Sequence, residues 1–98
     1  KAPVVRSKSD DELGAERSLI DQARAAMVRG DNDAALRALA QHAERFPVGK
    51  LTEERMALEV LGLTAAGRVE QAKAAATLFR LQFPSGIFRG TVDAAVPP

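Results

Sequence analysis

The chain contains the stretch Phe46-Pro47-Val48-Gly49 and, 37 residues later, the matching stretch Phe83-Pro84-Ser85-Gly86. Proline cannot continue a helix and glycine lets the chain turn, so each stretch predicts a helix end followed by a turn. Gly30 and Gly67 have the same separation, and each stands between two helical patterns. Each half of the chain therefore predicts helix, glycine turn, helix and Phe-Pro-x-Gly turn. Helix pairs of this kind bury their apolar faces by stacking.

Apolar residues at spacings of three and four predict helices over residues 11–29, 33–45, 51–66 and 69–82. A short fifth helix is expected over 87–96. The third helix is predicted to be the most buried, and Leu78 is predicted to face inwards with Phe79. Residues 1–10 contain Pro3 and few apolar side chains, which predicts a flexible tail. The predicted domain covers 11–98, with repeat one over 11–49, repeat two over 50–86 and a cap over 87–98.

The composition favours packed helices. Alanine is abundant, Tyr, Trp and Cys are absent, and the formal net charge is +1. Alanine is a strong helix former and lets helices approach closely, whereas the missing cysteines exclude disulfides and Cys-type zinc sites. A nucleic-acid partner is not expected, because such proteins usually carry a clear basic excess. A basic stripe of Arg17, Arg24 and Lys73 leaves that function as the last-ranked hypothesis. No apolar run is long enough to predict membrane insertion.

The turn and packing residues resemble those of the tetratricopeptide repeat family. That family has a Gly closing its first helix, a small Ala early in its second helix and a Pro after it. The matching residues are Gly30, Ala35 and Pro47 in the first repeat and Gly67, Ala72 and Pro84 in the second. The resemblance implies an all-α fold, namely a right-handed α-solenoid fragment of two tetratricopeptide-like hairpins and a short C-terminal capping helix.

The sequence also departs from the general family pattern. Ala26 and Leu63 stand where the family has a large aromatic residue, and the period is 37 residues rather than about 34. The longer period resembles that of bacterial tetratricopeptide lipoproteins of outer-membrane assembly and of periplasmic proteins of the Tol–Pal system. This resemblance favours a periplasmic or envelope-associated location over a cytoplasmic one.

The family generally binds a peptide or helix in a groove formed by the first helix of each repeat. The resemblance therefore implies a scaffold or adaptor module of a larger protein. Carried over position by position, the partner-binding residues would be Arg17, Ile20, Arg24, Met27, Val28, Glu54, Leu61 and Thr64. The alternative for Ile20, Met27 and Leu61 is a place in the core, and both interpretations remain open at this point.

A second hypothesis is self-association. Two repeats are fewer than the three or so that a stable stack usually needs, so a second copy could cover the fourth helix and the apolar C-terminal edge. The candidate residues for this contact are Ile87, Phe88 and Val92.

Residues with catalytic or metal-binding chemistry are scarce. His42 is the only histidine, and we expect it to have a packing or surface role rather than a catalytic one, because the sequence offers it few partners. Asp31-Asn32-Asp33 would begin a calcium loop only if Gly and Glu stood at positions now held by Leu36 and His42, so helix capping explains the cluster better. We therefore expect no enzyme activity, no catalytic residue, no metal and no cofactor.

Overall fold

The structure is a computed structural model that describes residues 8–98, with side chains from Asp10 onwards. Its helices are α1 Lys8–Val28, α2 Asn32–Arg45, α3 Thr52–Ala65, α4 Val69–Gln82 and α5 Arg89–Ala95. The prediction of an all-α fold is confirmed for this part of the chain. Residues 1–7 of the predicted tail lie outside the described residues. Helix α1 begins at Lys8 rather than at residue 11. Asp10 and Asp11 lie in its first turn, where their negative charges interact favourably with the positive end of the helix dipole.

The first turn of each half has the same backbone geometry. Gly30 and Gly67 have φ values of +78° and +76°, a conformation that glycine adopts without steric cost. In both turns the residue after the glycine donates its N–H to the carbonyl five residues earlier, at 2.9 Å. This bond closes the end of the helix in the same way each time. The sequence repeat is therefore also a repeat of backbone structure.

The second turn repeats as closely as the first. Phe46 has φ −132° and ψ 61°, and Phe83 has φ −130° and ψ 59°. Each phenylalanine N–H bonds to a carbonyl of the preceding helix at 2.8 Å. Gly49 and Gly86 then donate back to the carbonyls of these two residues at 3.1 and 3.2 Å. Two equal turns per half fix the relative directions of all five helices.

Helix α3 lies at the centre of the packing. It contacts each of the other four helices, whereas α1 packs on α2 and α5 packs on α4. The prediction that the third helix is the most buried is confirmed for the described residues, because α3 has seven buried residues, whereas α2 and α4 have four each. Ala35 and Ala72 are almost completely buried at equivalent positions of α2 and α4. Their small side chains allow the two helices of each half to approach closely.

Two apolar clusters form the core. One joins Ile20, Leu39 and Leu58 from α1, α2 and α3. The other joins α3, α4 and α5 around Val60, Phe79 and Val92, among further residues. The side chain of Leu36 packs against both clusters. The two halves therefore share one continuous apolar interior.

Leu78 was predicted to face inwards, and the structure contradicts this, because the side chain is 59% exposed. The inner face of α4 is formed by Ala72, Ala75, Ala76 and Phe79. Leu78 and Phe79 both have helical spacing from Ala75, so periodicity alone does not show which of these two side chains a neighbouring helix covers. Among residues 8–98, no helix has the length and apolar character that a membrane crossing requires.

Candidate protein-interaction surface

Three charged side chains connect α1 to α3. The Arg17 Nη1 atom donates to both carboxylate oxygens of Glu54, at 3.2 and 3.3 Å. Arg24 donates to Oε2 of the same carboxylate from Nε at 2.9 Å and from Nη2 at 2.6 Å. Glu54 is buried, whereas the side chains of Arg17 and Arg24 are each about half exposed. Together these bonds fix the first helices of the two repeats to each other.

The sequence repeat explains how these groups meet. Arg17 and Arg24 are two helical turns apart on α1 and so lie on one face of it. Glu54 stands 37 residues after Arg17, at the equivalent position on α3. Two cations share one carboxylate, so the cluster of these three side chains carries one excess positive charge. Each guanidinium has five N–H donors, and Glu54 occupies only some of them.

The apolar residues of the predicted groove differ in exposure. Val28 is 88% exposed, and Thr64 is also exposed, with its hydroxyl donating to the Val60 carbonyl at 2.8 Å. Met27 and Leu61 are half-buried and pack against the core cluster of α1, α2 and α3. A partner on this face would therefore contact Val28 and the outer parts of Met27 and Leu61.

Two of the predicted groove residues need correction. Ile20 is completely buried in the core, so its side chain is not available to a partner. Glu54 is buried beneath Arg17 and Arg24 and holds them in place, so it is a support of the surface rather than a partner contact. For Ile20, the core alternative is the one that agrees with the structure.

The predicted self-association edge is also partly wrong. Val92 is completely buried between α5 and the helices beneath it, and Phe88 is half-buried. Of the three predicted residues only Ile87, which is 88% exposed, is freely accessible. Helix α5 packs against both α3 and α4, and this packing uses the apolar side chains that the prediction left for a second copy.

A buried carboxylate that the sequence analysis did not single out joins the two halves. Glu16 accepts hydrogen bonds from the backbone N–H groups of Lys50 at 3.2 Å and Leu51 at 3.1 Å. Its Oε1 atom also lies 2.9 Å from Nε2 of His42, and both side chains are buried. An ionised carboxylate can only accept, so this bond requires the proton on Nε2. Glu16 thus fixes the start of α3 against α1 and α2.

The same contact occurs in the second half. Glu53, which is equivalent to Glu16, accepts a bond from the Phe88 N–H at 3.0 Å. His42 is equivalent to Phe79, and its ring lies 5.6 Å from Phe46, with an interplanar angle of 42°. The Phe79 and Phe83 rings have nearly the same arrangement, at 5.7 Å and 42°. His42 therefore occupies a position that the second repeat fills with an aromatic core residue. The signal in the sequence for the glutamate contact is the recurrence of Glu16 as Glu53 one period later.

The environment of His42 makes its protonation unfavourable. Burial lowers the pKa of His42 below its usual 6.5, the hydrogen bond to Glu16 opposes this shift, and the nearby Arg55 charge lowers the pKa further. Glu54 acts in the opposite direction through its negative charge. Among the described residues, His42 Nδ1 and Arg55 Nε are buried without a hydrogen-bond partner. The folded state thus favours neutral His42.

We expect the free energy of unfolding to decrease as the pH falls through the usual histidine pKa of 6.5. In this range His42 binds a proton in the unfolded chain but stays neutral in the folded chain, so lowering the pH favours unfolding. His42→Phe, which introduces the residue present at position 79, should flatten this part of the profile. Urea unfolding between about pH 5 and pH 8 measures both chains. If the free energy of unfolding of the wild-type and variant proteins changed equally with pH, His42 would not be the group responsible for this pH dependence.

In the part of the chain that the structure describes, no three side chains from His, Cys, Asp and Glu come together as a metal site would require. Comparisons of the chain with protein-family models, curated proteins and solved structures gave no match.

Proposed function

We propose that this chain is a tetratricopeptide-type protein-interaction module, a right-handed solenoid fragment of two helix pairs and a capping helix. The repeated glycine turns at Gly30 and Gly67 support the proposal, as do the buried alanines Ala35 and Ala72. These residues perform the packing and turning roles that the family resemblance implies.

In this proposal the module acts as a scaffold or adaptor within a larger bacterial protein and binds a peptide or helix across α1 and α3. The observation that carries the proposal is the convergence of Arg17 and Arg24 on Glu54. It holds two half-exposed arginine side chains in fixed positions, near the exposed Val28 on the same helix. Arginine held in this way binds carboxylates well because its planar donors are already oriented.

The preferred partner segment would combine acidic and apolar side chains. An Asp or Glu of the partner would accept from the N–H donors that Glu54 leaves unused, and a neighbouring Leu or Ile would cover Val28 and Met27. An envelope location, favoured by the 37-residue period, is part of the same proposal. Recovery of the native protein in the cytosolic fraction of its source cells would contradict that location.

We expect Arg24→Gln to weaken peptide binding at least about tenfold, which corresponds to about 1.4 kcal/mol. The variant removes one cation but leaves Arg17 paired with Glu54, so the helical content should not change. The probe is a library of synthetic peptides that combine Asp or Glu with Leu or Ile, measured by fluorescence anisotropy. Arg37→Gln is the matched control, because Arg37 is exposed on α2, away from this face. Failure of every peptide to bind, or equal affinities for Arg24→Gln and wild type, would contradict the proposed surface.

Self-association is a second candidate function. The residue that favours it at the predicted C-terminal edge is the exposed Ile87. One residue gives little contact area, so this edge alone is a weak basis for a dimer.

A further inference from the structure

Helix α4 exposes a continuous apolar stripe on its outer side. Ala74, Leu78 and Leu81 follow each other at spacings of four and three, so they lie along one line of the helix. Leu78 is 59% exposed and Leu81 is 74% exposed. The exposed amides Gln71 and Gln82 lie near its two ends, and the five residues carry no charge. We call these five residues the α4 stripe.

The fold itself does not require an apolar surface at these positions. The equivalent residues on α2, 37 positions earlier, are Arg37, Gln41 and Glu44, and all three are exposed. Helices α2 and α4 begin and end with closely similar backbone angles. Two helices with closely similar end geometry thus carry a polar outer surface in one repeat and an apolar surface in the other.

An apolar groove runs along one side of the α4 stripe. Leu36 of α2 and Leu63 of α3 line it together with Ala75, and Ala74 and Leu78 form its α4 wall. Charged side chains border it at Glu59 and Arg68, and Gln71 is also part of its lining. The groove and the projecting Leu78 therefore lie side by side on the same surface.

The order of side-chain sizes along α4 makes this surface complementary to itself. Within the α4 stripe the small residue Ala74 comes before the large residues Leu78 and Leu81, and the buried Ala75 lines the groove beside it. When two such helices pack antiparallel about an axis near positions 76 and 77, Leu78 of each copy lies opposite Ala75 and beside Ala74 of the other helix. A two-fold axis near positions 76 and 77 would also bring Gln71 of each copy beside Gln82 of the other, where their amides can pair.

We propose that α4 is a homodimer interface, in which two copies of this chain pack antiparallel and Leu78 of each copy enters the groove of the other. An interface of this kind is isologous, since both copies use the same surface patch. The absence of charge along the stripe removes the repulsion that like charges would produce across a two-fold axis. This inference is independent of the proposed peptide surface on α1 and α3.

The size of the surface predicts a weak dimer. A helix of 14 residues is about 21 Å long, so one helix pair with its groove buries less than the roughly 1,600 Å² of a standard interface. We therefore expect a dissociation constant on the order of 10–100 µM. Such a dimer forms readily when the parent protein is locally concentrated.

Sedimentation equilibrium over about 1 µM to 1 mM tests the dimer, because this range spans the expected dissociation constant. The wild-type chain should change from monomer to dimer, and Leu78→Glu should weaken association at least about tenfold by placing a charge in the groove. Gln41→Glu is the matched control, because it introduces the same side chain at the equivalent exposed position of α2, and it should dimerise like wild type. A wild-type monomer at every concentration, or a dimer unaffected by Leu78→Glu, would overturn the proposal.

Cysteine cross-linking tests the orientation, and the natural chain has no cysteine to interfere. When the Gln71→Cys and Gln82→Cys chains are mixed and oxidised, disulfide-linked dimers of the two different chains should predominate. A parallel or unrelated arrangement would instead give dimers of each variant with itself, or no specific product, and would overturn the antiparallel interface. The Arg24→Gln chain should dimerise normally, so failure of the peptide surface and failure of this interface can be distinguished.

Discussion

Replacement of Gly49 with alanine is expected to lower the free energy of unfolding by about 3 kcal/mol. A Cβ atom at this position would overlap the Glu16 carboxylate and lie 2.6 Å from its Cδ atom. The carboxylate would have to move away from His42 and from the backbone N–H groups of Lys50 and Leu51. Each charge-assisted bond of this type contributes about 1.5–3 kcal/mol, and a buried donor left without a partner adds a further cost.

Chemical unfolding of Gly49→Ala in the wild-type and Glu16→Ala backgrounds measures this effect. Once the Glu16 carboxylate is absent, the added methyl group should cost less than about 1 kcal/mol, so the two substitutions should be strongly non-additive. Gly90→Ala is the control, because a Cβ there would meet nothing within 4 Å and α5 would gain helix propensity. The same cost for Gly49→Ala in both backgrounds would show that the clash with Glu16 is not its cause.

Phe79→Ala should be the most destabilising single truncation, by about 4 kcal/mol. Phe79 is the largest fully buried side chain and packs in the cluster that joins α3, α4 and α5. Its loss removes apolar contact area and leaves a cavity that the short α5 is unable to fill. Because the helix pairs contact mainly their neighbours, we expect α4 and α5 to open before α1 and α2.

Urea unfolding and amide hydrogen exchange measure the two parts of this prediction. Leu78→Ala is the control on the same helix, and at micromolar protein concentration it should change the free energy of unfolding by less than about 1 kcal/mol, because Leu78 is exposed. Uniform loss of amide protection over all five helices in Phe79→Ala would contradict local opening, and equal costs for the two variants would contradict the assigned core.

Much of the helix arrangement could be predicted from local signals. The prediction of 69–82 for the fourth helix agrees with the structure, because Gly67 and Pro84 are strong breakers close to its two ends. The start of α1 was less certain from sequence, since Asp10 and Asp11 suit either a position before a helix or its first turn. No comparable breaker stands near that end to decide between the two.

The candidate surfaces were less predictable. The family resemblance implied that Arg17, Arg24 and Glu54 line one groove, but it does not show that Glu54 pairs with both arginines rather than facing a partner. The burial of Val92 could not be predicted from sequence, because it depends on how α5 packs on the other helices, which is a tertiary property. The burial of the Glu16 carboxylate could not be predicted from sequence, because isolated charges on a helix are usually solvated. The only signal for it is its counterpart Glu53, one period away.

The two glutamate contacts make the chain modular. The Glu16 carboxylate packs against the turn at Gly49, and the Glu53 carboxylate packs against the turn at Gly86. Each unit therefore carries one such glutamate and one glycine turn against which the glutamate of a unit can pack. A tandem duplication of residues 50–86 would therefore supply every new junction with both members of the contact. Lengthening by whole units preserves the junctions, whereas inserting a few residues between a glutamate and its glycine would put the next unit out of register.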